Sequence, residues 1–107
     1  MHYDSEAQIV NEALLAAKNA AEAYIAKNGE PSYCGFAWVK IRPGNSRMAK
    51  YLKAVNLGSA SYSGGVDVWN PSKNVTQSMD VKEAGAMAFA DVLKKHGYKA
   101  TPMSRAD

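Results

Sequence analysis

Apolar residues recur at intervals of three and four through the first part of the chain, which is the repeat of an amphipathic helix. The stripe runs from Ile9 to Tyr24 and is rich in alanine, a residue that favours helix and allows close packing. Ser5 and Gln8 fit a capping box at its start. The sequence therefore predicts a first helix from Ser5 to Asn28.

The next apolar segment, Tyr33 to Ile41, predicts a strand. One face carries Cys34, Phe36 and Trp38 and ends at Lys40, and the other face is formed by residues 33, 35, 37, 39 and 41. Both faces are apolar, which is the pattern of a central strand covered on both sides. We therefore expect this strand to lie inside a sheet.

Shorter elements follow a turn at residues 42–45. Asn45 or Ser46 can cap a short helix that runs to Val55 or Asn56. Two β-compatible runs, residues 59–62 and 66–69, are separated by Ser63-Gly64-Gly65 and predict a hairpin.

The C-terminal third predicts one more helix and one more strand. Asp80 and Glu83 form a capping pattern that opens a helix to about His96. Residues 98–103 form a last strand, which Pro102 limits to a sheet edge, and residues 104–107 read as a tail.

These elements predict a single α+β domain over residues 1–107. After the first helix the order is βαββαβ, that of a ferredoxin-like fold, with one four-stranded, mainly antiparallel sheet and helices packed on it. The extra N-terminal helix has two possible places. It covers the open face of the sheet, or it packs with the other helices on one side, against the Gly85 and Ala88 strip.

The composition is that of an ordinary globular protein, with 47% hydrophobic and 21% charged residues in 107. No apolar run approaches the ~20 residues that cross a bilayer, so no membrane association is expected. The single cysteine, Cys34, cannot form an internal disulfide, which favours a reducing cytoplasm.

Nothing in the sequence nominates an enzyme. A nucleophilic cysteine needs a base, and the two histidines, His2 and His96, lie in a tail and at a helix end. They are also too few, with Cys34, for a closed metal site, so we expect no metal and no cofactor.

The positive charge is concentrated in the middle of the chain. Residues 31–66 contain basic residues and no acid, within a net charge of +3. The predicted binding surface for nucleic acid or another anionic partner, such as an acidic protein, consists of Lys40, Arg42, Asn45, Ser46, Arg47, Lys50 and Lys53. Part of it joins a strand to a helix start, where free backbone N–H groups favour an anion.

Two other functions remain open. The chain can be a protein–protein adaptor or a homodimer that uses a sheet edge, Trp69 or the alanine-rich helix. The turn from Gly44 to Arg47 can instead hold a nucleotide or another small anion.

Three segments give the chain a family resemblance. They are Cys34-Gly35-Phe36-Ala37-Trp38-Val39, Trp69-Asn70-Pro71 and Lys82-Glu83-Ala84-Gly85-Ala86. In these the chain resembles small uncharacterised proteins encoded by bacteriophages. The resemblance implies a phage origin and no particular activity.

Overall fold

The computed structural model describes residues 2–107, which form three helices and four strands. In chain order these are α1 (Asp4–Asn28), β1 (Gly35–Arg42), α2 (Arg47–Ala54), β2 (Ser59–Ala60), β3 (Val66–Trp69), α3 (Met79–Lys95) and β4 (Lys99–Ala106). Every predicted helix and strand is therefore present. The α+β class is confirmed.

The four strands form one sheet in the spatial order β2-β3-β1-β4. All three neighbouring pairs are antiparallel. β1 is central, as its apolar pattern predicts, and β4 lies at an edge, as Pro102 requires. β4 continues to Ala106, so the residues predicted as a tail mostly belong to the sheet.

One face of the sheet carries the core. Ala37, Val39 and Ile41 of β1 are buried there. They join Leu52 of α2, Phe89 of α3 and other buried residues in a single hydrophobic cluster. Because successive residues of a strand point to opposite faces, Phe36 and Trp38 must lie on the other side. That side is exposed at Phe36, so the expected cover on both faces of β1 is wrong.

The first helix packs on α3. Its contact surface is built from the small residues Ala13, Ala17 and Ala21, all fully buried. Gly85 of α3 faces the same surface, where a methyl group would meet the carbonyl oxygen of Ala17 at 3.4 Å, an ordinary contact distance, but would lie only 2.7 Å from Ser72 Cβ. The second of the two expected arrangements is therefore the observed one, and within residues 2–107 no helix lies over the open face of the sheet.

Two of the predicted helix starts are corrected by the structure. α1 begins after Tyr3 with no side-chain cap, and Ser5 lies inside its first turn. α3 is capped by Ser78, whose hydroxyl accepts a hydrogen bond from the Val81 N–H at 3.4 Å, while Asp80 sits in the first turn. The third start agrees with the prediction, since Ser46 caps α2.

Candidate functional site

Three aromatic side chains cluster on the open face of the sheet. Trp38 and Trp69 are direct cross-strand partners on β1 and β3. Their rings stack with centroids 4.5 Å apart and planes inclined by 27°. Phe36, two residues before Trp38, meets Trp69 edge to face at 6.4 Å. The antiparallel register of β1 and β3 therefore builds the cluster, because it puts all three rings on one side.

This cluster stands open to solvent. Trp69 is 47% exposed and Phe36 and Met103 are each 38% exposed, while Trp38 is half-buried beneath its neighbours. Met103 of β4 lies opposite Trp38 and extends the cluster across the sheet. A contiguous exposed apolar patch is costly in water, and such patches mark binding surfaces more often than isolated apolar residues do.

Two cations border the aromatic cluster. The Lys82 ammonium, from α3, lies 5.4 Å from the centroid of the Phe36 ring and donates a hydrogen bond to the Gly35 carbonyl at 2.9 Å. The Arg105 guanidinium, on β4 opposite Phe36, lies 5.7 Å from the same centroid. Both distances are within the range of cation–π attraction. The end of the sheet near Phe36 thus combines exposed rings with positive charge.

A buried ion pair neutralises the acid on this face. The Lys40 ammonium lies 3.1 Å from Asp67 Oδ1, and the two residues are 3% and 9% exposed. That oxygen receives no well-aligned hydrogen bond from the described residues. The ammonium instead donates to the Ser61 hydroxyl at 2.6 Å and to the Gly64 carbonyl at 2.8 Å. The contact with Asp67 is therefore one of charge, and Lys40 also fixes the β2–β3 hairpin loop to the sheet.

The structure divides the predicted basic surface into two parts. Lys40 is already paired with Asp67 and bonded to the hairpin loop. Arg42 is exposed at the end of β1 on the open face. The helix α2, with Lys50 and Lys53 exposed, lies on the opposite side of the sheet, because its buried residues join the core.

The remaining three predicted residues lie at the start of α2. Ser46 is a helix cap whose hydroxyl accepts from the Ala49 N–H at 3.2 Å, and Asn45 is an exposed turn residue. Arg47 forms an ion pair with Glu6 at 3.3 Å, donates to the His2 carbonyl and stacks on the Tyr3 ring at 4.8 Å. Arg47 therefore already has an acidic partner, although the acid is far away in sequence.

The sequence contained a signal for the aromatic cluster that the predictions did not use. Phe36 and Trp38 share a face by simple alternation, but both faces of their strand were expected to be covered. Trp69 was a candidate only for contact with a protein partner. The cross-strand pairing of Trp38 with Trp69, which joins the three rings, comes from the sheet register alone.

Other kinds of site find little support in the described part of the chain. Residues 2–107 hold no group of three His, Cys, Asp or Glu side chains arranged to bind a metal. Cys34 is exposed, and its thiol donates a hydrogen bond to the Ser32 carbonyl at 3.4 Å. Each helix described over this range is too short or too polar to traverse a bilayer.

Comparison with known proteins adds no constraint to this geometry. No family model, no curated protein and no solved structure matches the chain.

Proposed function

We propose that this protein binds single-stranded nucleic acid through the open face of its sheet. The observation that carries the proposal is the cluster of Phe36, Trp38 and Trp69 on a sheet face that no helix of the described residues covers. Aromatic rings on a positively charged surface are how proteins hold single strands, because every base offers a face on which to stack.

Charge on the open face supports a polyanion rather than another protein surface. Lys82 and Arg105 border Phe36, and Arg42 and Lys99 are exposed at the other end of β1 and β4. Asp67, the acid at a ladder position of this face, is already paired with Lys40. The exposed Asp107 follows Arg105 at the end of β4, but the four cations outnumber it. Positive charge is therefore in excess on this face, which favours a phosphate backbone.

The available ring surfaces favour single strands over duplexes. Trp38 and Trp69 already occupy one face of each other, so the outer surface of Trp69 and the ring of Phe36 remain for a ligand. Stacking on these surfaces requires a base whose face is not already stacked on another base. Inside a duplex both faces of each base are occupied by its neighbours.

The order of elements gives further support. We infer a ferredoxin-like topology for the part of the chain after α1, because β1, α2, β2, β3, α3 and β4 follow one another in that sequence and the sheet order is β2-β3-β1-β4. RNA-binding sheets of this type stack bases on aromatic residues of the open face. Here the rings come from the two central strands, β1 and β3.

The test is a fluorescence-anisotropy titration with labelled single- and double-stranded DNA and RNA at low and physiological salt. We expect Trp69→Ala to weaken single-strand binding roughly 5- to 150-fold, because alanine substitution of a stacking residue costs about 1–3 kcal/mol per base. Trp69→Phe should restore part of the affinity. Leu15→Ala, which truncates an exposed apolar residue on α1, should bind like the wild type.

A second copy of the chain is the other occupant to test for. Exposed Phe36, Trp69 and Met103 would also suit a homodimer interface. Sedimentation of the same samples separates the two. A concentration-dependent dimer that Trp69→Ala abolishes, with no binding to any of the four nucleic acids, would replace the nucleic-acid proposal by the dimer.

A further inference from the structure

The end of the open face that lies away from the rings carries two like charges side by side. Arg42 of β1 and Lys99 of β4 are direct cross-strand partners, and both are exposed. Within residues 2–107 neither forms an ion pair. Like charges directly opposite each other destabilise a sheet, so the fold gains nothing from this pair. An anion between the two side chains would remove the repulsion.

An open path joins this pair to the aromatic cluster. The outward residues of β4, in order, are Lys99, Thr101, Met103 and Arg105, and all four are exposed. On the other side of β1 the hairpin loop closes the face, since Ser61 and Gly64 accept hydrogen bonds from Lys40. A methyl group added at Gly65 would lie 3.1 Å from Arg42 Cγ and 3.4 Å from Lys40 Cγ, so the loop passes close to both side chains. The hairpin therefore forms a wall, and β4 with the outward face of β1 forms the floor.

The length of the path sets the size of a ligand. From Phe36 to Arg42 the strand rises roughly 20 Å, at about 3.3 Å per residue. Building on the proposed function, we propose that a single strand of about four nucleotides, at the short end of the range for single-strand sites, lies along β4. Its phosphates contact Lys82 and Arg105 at one end and Arg42 and Lys99 at the other.

This arrangement fixes the salt dependence of binding. Neutralising four phosphates of a single strand gives a slope of about −2.8 in log K against log salt, since each contact contributes about −0.7. Removing the Arg42 and Lys99 charges should leave about −1.4. Affinity at about 50 mM salt should then fall by at least roughly tenfold, because fewer counterions are released.

The experiment compares Arg42→Gln/Lys99→Gln with the wild type on oligothymidylates two and eight nucleotides long. The variant should lose affinity and half of the salt slope on the longer strand. It should keep the wild-type affinity for the dinucleotide, which reaches only the aromatic end. Lys50→Gln/Lys53→Gln is the matched control, because it removes the same charge from α2 on the opposite side of the sheet. Thermal melting of both variants verifies the fold.

Each outcome decides between the two proposals. If Trp69→Ala weakens binding while Arg42→Gln/Lys99→Gln keeps wild-type affinity and slope, the phosphate contact at Arg42 and Lys99 is wrong and the aromatic site stands. Equal losses in the α2 control would also overturn this phosphate contact, because net charge alone would explain them. Wild-type protein that binds neither oligonucleotide at low salt would overturn both proposals together.

Discussion

Asp67→Asn removes the negative charge from the buried pair with Lys40 while keeping nearly the same side-chain shape. In the wild type the two groups lie 3.1 Å apart and Lys40 is 3% exposed. The substitution leaves a buried ammonium with hydrogen bonds to Ser61 and Gly64 and with no opposing charge. Both remaining acceptors lie at the hairpin loop, so the loop is the part of the molecule that has to accommodate the change.

The loss of stability follows from the burial of this charge. Removing one partner of a buried ion pair costs about 3–5 kcal/mol. The two remaining hydrogen bonds place this case at the lower end, near 3 kcal/mol. For a domain of this size each kcal/mol lowers the melting temperature by about 4 °C or more, so a decrease of at least about 12 °C is expected. The double variant Lys40→Met/Asp67→Leu should recover most of this, because a buried pair replaced by apolar residues is often neutral.

Urea denaturation followed by circular dichroism gives the free energies of unfolding, and tryptophan fluorescence checks that the transition is two-state. Asp91→Asn is the control, because its ion pair with Lys94 is long, at 3.9 Å, and exposed. That change should cost less than about 0.5 kcal/mol. A loss below about 1 kcal/mol in Asp67→Asn would refute the reasoning, since the pair would then be neither buried nor important to the fold.

Two further predictions concern the helices. Gly85→Ala should lower stability by about 1 kcal/mol in thermal melts, because a methyl group 2.7 Å from Ser72 Cβ overpacks the site by more than the ~1 kcal/mol that alanine gains in a helix. Unchanged melting would contradict the close packing of Ser72 on Gly85. A hydrogen bond with Lys95, and to a smaller extent one with His96, holds the pKa of Glu12 below its ordinary value of 4.5. The stability that Glu12 contributes to the fold is therefore present above that pH and is lost as the pH falls through the folded pKa. The stability difference between wild type and Glu12→Gln, measured by urea titration from about pH 5 to pH 3, should therefore shrink on acidification, and a difference that grows would contradict this sign.

The elements of the fold could be predicted because their signals are local. Hydrophobic spacing and turn residues within a few positions predict all three helices, the hairpin and the edge strand, although only the cap at Ser46 was predicted correctly. The layering could not be decided in this way. The alternation of Phe36 and Trp38 looks the same whether a helix covers them or water does, and the alanine stripe of α1 fits either surface. Only the packing of α1 on α3 decides between them.

The sequence predicts a positively charged surface but not where on the fold the candidate site lies. Positive charge was visible in the sequence, and Arg42 belongs to both the predicted and the proposed surface. Arg47 is not part of the proposed surface because it pairs with Glu6, 41 residues away in sequence. Lys40 is not part of it because it pairs with Asp67 of another strand. The aromatic cluster depends on strand register in the same way. Contacts between distant residues carry no local sequence signal, so they decide what the local pattern leaves open.

The packing of α1 on α3 also has a consequence for synthesis of the chain. α1 precedes its main docking surface by the whole stretch from Asn28 to Met79. At about 5–20 residues per second, roughly 3–10 s pass between the completion of α1 and the start of α3. During that interval the alanine face of α1 has nothing to bury itself against, and its own helix propensity alone maintains its structure. Alanine side chains expose little apolar surface, so they associate weakly with other chains. The composition of α1 therefore suits a helix that remains unpacked on the ribosome until α3 has been synthesised.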